Sequence, residues 1–139
     1  MPMLKTMHHI GVAVRDLAAA RRFYVEQLKM KIVFDELAPN KDVWVVGLAP
    51  EGGGALVELL AGVVQPNPLE KFLDQHGETI HHVAYEVKDI EAAIAQCKAL
   101  GFQMLDERPR PGAHKSRIAF IHPKSTGGVL SELVEPAAH

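Results

Sequence analysis

The stretch His9-Ile10-Gly11-Val12-Ala13-Val14-Arg15-Asp16-Leu17 returns 73 positions later as His82-Val83-Ala84-Tyr85-Glu86-Val87-Lys88-Asp89-Ile90. In both copies a histidine opens an apolar run, and a base, an acid and an aliphatic residue close it. The same offset carries Val45-Val46-Gly47-Leu48-Ala49-Pro50 onto Ile118-Ala119-Phe120-Ile121-His122-Pro123. After one inserted residue, at an offset of 74, Leu56-Val57-Glu58-Leu59-Leu60 falls on Leu130-Ser131-Glu132-Leu133-Val134. Three matches in the same order read as an internal repeat rather than as unrelated strands of similar composition.

The local patterns of the two copies agree. From His9 to Val14 the residues alternate, with Ile10, Val12 and Val14 on one face and His9, Gly11 and Ala13 on the other. That is the period of a strand with one bulky apolar face and one small, polar face. His82, Ala84 and Glu86 repeat the second face. Asp16 and Asp89 then stand as helix N-caps, whose carboxylates accept the free N–H groups of a first turn. Leu17, Ala20, Phe23, Tyr24 and Leu28 follow at helical spacing, as do Ile90, Ala93, Ile94, Cys97 and Leu100. Gly101 suits the left-handed position past a helix end.

Strands are expected over about 31–36, 43–48 and 56–60, with counterparts at 102–107, 117–121 and 129–134. Gly52-Gly53-Gly54 is a turn, because a strand rather than a helix follows it. Pro66 and Pro68 break the chain, and Leu69 to His76 is expected to form a short helix with Leu69, Phe72 and Leu73 buried. The reading is an α+β fold of two tandem βαβββ modules. Residues 1–139 make one domain, with module one at about 6–62, a connector at 63–79 and module two at 80–136.

Composition narrows the function. The 139 residues are 47% hydrophobic and 23% charged, ordinary for a globular chain. A net charge of −2 gives no global basic field, so no nucleic-acid or anionic-membrane partner is expected. No apolar run approaches the roughly 20 residues that span a bilayer. Met1 to Lys5 is too short and mixed for a targeting segment. The single cysteine, Cys97, excludes an intramolecular disulfide and fits the reducing cytoplasm. On the apolar helical stripe it is a core residue.

The repeat pairs His9 with His82 and Glu58 with Glu132. If the modules pack about a twofold-like axis, these side chains converge. Two imidazoles and two carboxylates suit a divalent transition metal with coordination positions left open. The small-residue face leaves room for them, and a carboxylate inside a strong strand must be solvated, paired or bound. His8 and His81 alternate to the opposite face. His76, in the connector, and His139, at the terminus, default to surface roles. His114 and His122 are loop or strand-end candidates for substrate contact. Lys115, Arg117 and Lys124 could reach phosphates but default to solvated positions.

These residues resemble the vicinal oxygen chelate (glyoxalase/bleomycin resistance) superfamily over about residues 8–136, and within it most resemble the methylmalonyl-CoA epimerases. The supporting segments are His8-His9-Ile10-Gly11-Val12-Ala13-Val14, His81-His82, Gly112-Ala113-His114 and, most specifically, Ile121-His122-Pro123-Lys124-Ser125-Thr126-Gly127-Gly128-Val129-Leu130-Ser131-Glu132-Leu133. The resemblance implies that the two modules form a cupped mixed sheet around a metal site, with the helices outside, and that His9, Glu58, His82 and Glu132 are the metal ligands, with Co2+ favoured and Zn2+, Ni2+ or Mn2+ admissible. It implies an acyl-CoA substrate, a homodimer, and epimerisation by α-proton abstraction through a metal-stabilised enediolate. Glu132 is the residue expected to take part in catalysis, as ligand and candidate base. Some relatives carry a second, non-ligand glutamate in the third strand, where this chain has Val45. Glu51, His122 and water are the candidate partner acids. The alternative readings are a glyoxalase I-type isomerase and a metal-free binding or resistance protein of the same fold.

Overall fold

A computed structural model describes residues 2–138; His139 lies outside the described residues. The described residues are mixed α+β, with eight strands among them, and form two compact units. One comprises His9–His81; the other comprises Met1–His8 together with His82–His139. The elements are β1 (Leu4–Ala13), α1 (Leu17–Arg21), β2 (Lys31–Leu37), β3 (Val43–Ala49), β4 (Leu56–Gly62), α2 (Glu70–His76), β5 (Thr79–Val87), α3 (Ile90–Ala99), β6 (Arg110–Pro111), β7 (Arg117–Ile121) and β8 (Ser131–Glu135). Among the described residues no helix is long and apolar enough to cross a membrane.

In the His9–His81 unit the strand order is β2-β3-β4-β1. The β1/β4 pair is parallel, and the β3/β4 and β2/β3 pairs are antiparallel. The other unit repeats this pattern as β6-β7-β8-β5, with β5/β8 parallel and the remaining pairs antiparallel. Alternation along the strands gives each unit two faces. One face carries the helix. Val46, Leu48 and Leu59 are buried against Val12, Leu17, Ala20, Tyr24 and Val25. In the second unit Ile90, Ala93, Ile94 and Cys97 of α3 pack on Val87, Ala119, Ile121 and Leu133. The opposite face carries the residues between these, Gly47 and Glu58 in one unit, Phe120 and Glu132 in the other.

Local chemistry places the helices as expected. Asp16 accepts the Ala19 N–H at 2.9 Å and Asp89 accepts the Ala92 N–H at 3.1 Å, so both caps are made. Gly101 takes a φ of 84° after α3, a conformation that costs a residue with a Cβ. Gly53 and Gly54, at 83° and 96°, turn the chain between β3 and β4. Leu69 and Leu73 are buried around α2.

Three local expectations are corrected. The helix after Asp16 is α-helical only to Arg21 and continues as a π-helical segment, Arg22–Gln27, in which Leu28 N–H donates to the Phe23 carbonyl. The wider turn shifts the buried stripe onto Tyr24 and Val25 and leaves Phe23 and Leu28 about half exposed. Leu100, beyond the end of α3, is also exposed rather than part of its buried stripe. Residues 102–107 do not form a strand. Met104 makes one isolated bridge to Ile121, and the edge strand is the two-residue β6. Pro109 and Pro111 lack ladder donors. The Asp106 carboxylate accepts the Phe120 N–H at 2.9 Å, so a side chain satisfies a donor that a regular strand would otherwise have paired.

Candidate metal centre

His9 lies on β1 with 3% of its surface exposed, and Glu58 on β4 with 7%. The parallel register sets Glu58 beside Gly11, and the antiparallel register sets it beside Gly47. Laterally paired residues share a face, so Glu58 stands between two residues without side chains. His9 Nδ1 is 3.0 Å from Glu58 Oε2. The space above Gly47 is filled from the next strand by the ring of Phe34, its ladder partner on β2.

The second unit builds the same pair by the same register. His82 on β5 is 4% exposed, as is Glu132 on β8. Glu132 pairs with Ala84 on one side and Phe120 on the other, the repeat equivalents of Gly11 and Gly47. His82 Nε2 is 4.0 Å from Glu132 Oε1, and the Phe120 ring meets the His82 ring edge-on at 5.3 Å. An aromatic ring therefore flanks each histidine–glutamate pair, but from different strands. In one unit the equivalent position is Gly47 and the ring comes from Phe34; in the other Phe120 occupies that position itself.

Each pair offers an imidazole nitrogen and a carboxylate oxygen from a buried face. Donors at about 2.1 Å from one ion are separated by about 3.0 Å when cis and about 4.2 Å when trans. The separations within the two pairs, 3.0 and 4.0 Å, fall in that window. The donor types and separations of each pair therefore suit a divalent metal, and the burial requires these carboxylates to be paired or bound.

The remaining histidines separate by role. His122 caps the short 3-10 turn Pro123–Ser125, its Nδ1 accepting the Lys124 N–H at 3.0 Å. His81 packs edge-on against Phe72 at 4.8 Å, and burial holds its imidazole below the usual histidine range. His114 and Lys115 both take left-handed backbone, with φ of 57° and 59°. Among the phosphate candidates, Arg117 is held by Glu135 and Glu91, each at 3.0 Å. Glu51 lies exposed in the β3–β4 turn.

Two residues on the site face escaped the sequence reading. Glu36 pairs across the β2/β3 ladder with Val45, a half-buried carboxylate laterally beside the position where some relatives carry a glutamate. The spacing of β2 and β3 alone did not fix that register. Arg110 pairs with Ile118, and its guanidinium lies 5.6 Å from the Phe120 ring centroid. It lies in a segment whose strand bounds the sequence placed too early.

Comparison with known proteins identifies the family. The profile of the Glyoxalase/Bleomycin resistance protein/Dioxygenase superfamily matches residues 8–120. The ethylmalonyl-CoA/methylmalonyl-CoA epimerase of Cereibacter sphaeroides is 33% identical over 133 residues, covering 94% of this chain and 98% of that protein. The uncharacterized protein YqjC of Bacillus subtilis is 32% identical over 133 residues, covering 96% and 94%. The crystal structure of methylmalonyl-CoA epimerase from Mycobacterium tuberculosis has a TM-score of 0.93 and 36% identity, covering 99% of this chain and 92% of that one. The chain belongs to the Glyoxalase/Bleomycin resistance protein/Dioxygenase superfamily, and methylmalonyl-CoA epimerases are among its homologues.

Proposed function

We propose that the protein is a methylmalonyl-CoA epimerase that interconverts the (R) and (S) thioesters by removing and returning the α-proton. The observation that carries the reading is the repeated buried pair: His9 with Glu58 and His82 with Glu132, each on a small-residue face of a chain whose full-length relatives include such epimerases. His9, Glu58, His82 and Glu132 would together hold one divalent metal, Co2+ by family preference, with Zn2+, Ni2+ or Mn2+ tolerated by the same donors. When bound, that metal supplies Lewis-acid stabilisation of the charge that develops on the thioester oxygen.

The chain's own residues do the rest. Glu132 is read as both ligand and proton-transfer group: a carboxylate has two oxygens, so one can hold the metal while the other accepts the α-proton from one side of the substrate. Gly11 and Ala84, the small residues laterally beside Glu58 and Glu132, leave the space that the acyl group needs. Within each unit an aromatic ring, Phe34 over Gly47 and Phe120 against His82, shields the histidine–glutamate pair from water and so strengthens its electrostatic interactions. Val45 carries no base, so the opposite-side proton must come from another group; Glu36 is the carboxylate that the ladder sets beside it. The enzyme is read as a cytoplasmic homodimer.

The test is metal content measured together with exchange of the methylmalonyl-CoA α-proton in D2O, followed by NMR. The expected result is a stoichiometric transition metal and rapid exchange, with both lost in His82→Ala. Activity on a glutathione hemithioacetal but not on methylmalonyl-CoA would overturn the reading in favour of a glyoxalase-type isomerase. A metal-free protein indifferent to His82→Ala would favour a binding protein. Undiminished exchange in Glu132→Gln would remove the base role.

A further inference from the structure

Arg110 is held in place but incompletely used. Its ladder partner is Ile118, and Ile118 and Phe120 alternate onto the same face of β7, the face of Glu132. The guanidinium carbon stands 5.6 Å from the centroid of the Phe120 ring, which in turn packs against His82. Asp106 fixes the arrangement from behind. One carboxylate oxygen accepts Arg110 Nε–H at 3.0 Å and the other accepts the Phe120 backbone N–H at 2.9 Å. That clip uses only Nε. Among the described residues no hydrogen bond leaves the terminal nitrogens Nη1 and Nη2, and the side chain is 47% exposed.

An aromatic clip alone would be served by any cation. A planar fork with both terminal nitrogens presented to solvent, on the sheet face that also carries Glu132, suits a planar anion that accepts two parallel hydrogen bonds. We infer that Arg110 anchors the free carboxylate of the acyl group, making this site selective for thioesters of dicarboxylic acids, and that Asp106 is its positioning residue. The inference rests on the epimerase reading. A carboxylate has about four lone-pair sites, so it can accept from Arg110 while other groups engage its remaining lone pairs. The phosphates of CoA would offer the same fork the same chemistry, so the experiment separates the two sources.

Binding of malonyl-CoA, acetyl-CoA and adenosine 3′,5′-bisphosphate is measured by calorimetry on the metal-loaded wild type and on Arg110→Gln, Arg110→Lys and Asp106→Asn. Loss of a charged, bidentate contact weakens binding by about tenfold to a hundredfold. That loss is expected for malonyl-CoA in Arg110→Gln, with acetyl-CoA and the bisphosphate unchanged. Arg110→Lys recovers part of it, and Asp106→Asn raises KM for methylmalonyl-CoA more than it lowers kcat. Equal weakening of acetyl-CoA or of the bisphosphate would overturn the inference in favour of phosphate binding; unaltered malonyl-CoA affinity in Arg110→Gln would overturn it outright. Metal content and melting temperature of the variants check that the fold is intact. If the wild type neither exchanges the α-proton nor prefers malonyl-CoA to acetyl-CoA, the epimerase reading itself fails. If it does both while Arg110→Gln binds normally, only the role of Arg110 fails.

Discussion

Replacing Gly47 by alanine tests how the Glu58 side of the site is packed. A Cβ at this position would lie 2.2 Å from Phe34 Cε1 and 2.6 Å from both Cδ1 and Cζ. Ordinary carbon–carbon contact is about 3.5–4.0 Å, so the ring would have to retreat by more than about 1 Å. It is poorly placed to do so, because Phe34 is 8% exposed and its ring is a rigid disc on a strand whose register is already shifted beside it. Overpacking of this kind costs about 1–3 kcal/mol. Unfolding entropy of about 2.1 cal/mol/K per residue over 139 residues is about 0.3 kcal/mol per kelvin. The melting temperature of Gly47→Ala should therefore fall by about 3–10 °C. In a Phe34→Ala background the obstruction is gone. The same substitution should then be neutral or stabilising by up to about 1 kcal/mol, since it lowers the entropy of the unfolded chain. The assay is equilibrium urea denaturation of the four proteins in chelator, which keeps metal binding out of the differences. Additive costs in the cycle, or a Gly47→Ala protein as stable as the wild type, would refute the packing described for Phe34.

Two further outcomes follow from the charge and burial of the second unit. Arg117 and, after it, the Ile90 backbone N–H hold the Glu135 carboxyl below its usual range. A depressed acid pKa contributes stability that is full above the unfolded value of about 4.5 and is lost as pH falls through the folded value. The stability difference between wild type and Arg117→Met, read from urea midpoints, should thus be constant from about pH 6 to 8 and shrink below about pH 4.5; a difference that grows on acidification would contradict the pairing. Cys97 is fully buried and burial pushes its thiol up, so the native protein should react with Ellman's reagent only as fast as it opens, and denaturant should release the reaction. Immediate stoichiometric labelling of the native protein would show that α3 is not packed as described.

The parts of the fold written in short-range chemistry were legible in the sequence. The alternation from His9 to Ala13 and from His82 to Ala84 is the alternation observed in burial, and Asp16 and Asp89 cap the helices that follow them. The repeat marks His9 and His82, and likewise Glu58 and Glu132, as equivalent positions, and each histidine lies buried within 4.0 Å of its unit's glutamate. What was missed depends on pairing partners. The segment Phe102-Gln103-Met104-Leu105 looks like a strand, but its bonds to the neighbouring chain, Leu105 N–H to the Phe120 carbonyl and His122 N–H to the Gln103 carbonyl, stop short of a regular ladder, and Asp106 turns its side chain to the Phe120 N–H. The π-helical segment after Arg21 displaces Phe23 from the buried face, and helical spacing alone carries no sign of it. Glu36 and Arg110 gain their interest from which residue lies across the ladder, a relation set by the bulge in β2 and by the shortness of β6.

The division of β1 between the two units has a topological cost. Met3 packs with Cys97, their sulfur atoms 3.7 Å apart, and Lys5 pairs with Glu86 at 3.2 Å. The first strand residues thus belong with a unit whose other residues begin at His82, while His9–His81 is continuous. As the chain leaves the ribosome, the continuous unit can condense on its own; the discontinuous one must wait and then close a loop of more than ninety residues. The length-dependent part of that closure is about 4 kcal/mol, but it grows only with the logarithm of length, so doubling the loop adds about 0.6 kcal/mol. The Gly62–Thr79 connector inside that loop can therefore lengthen or shorten through evolution at little thermodynamic penalty, provided that the register of the strands it joins is kept.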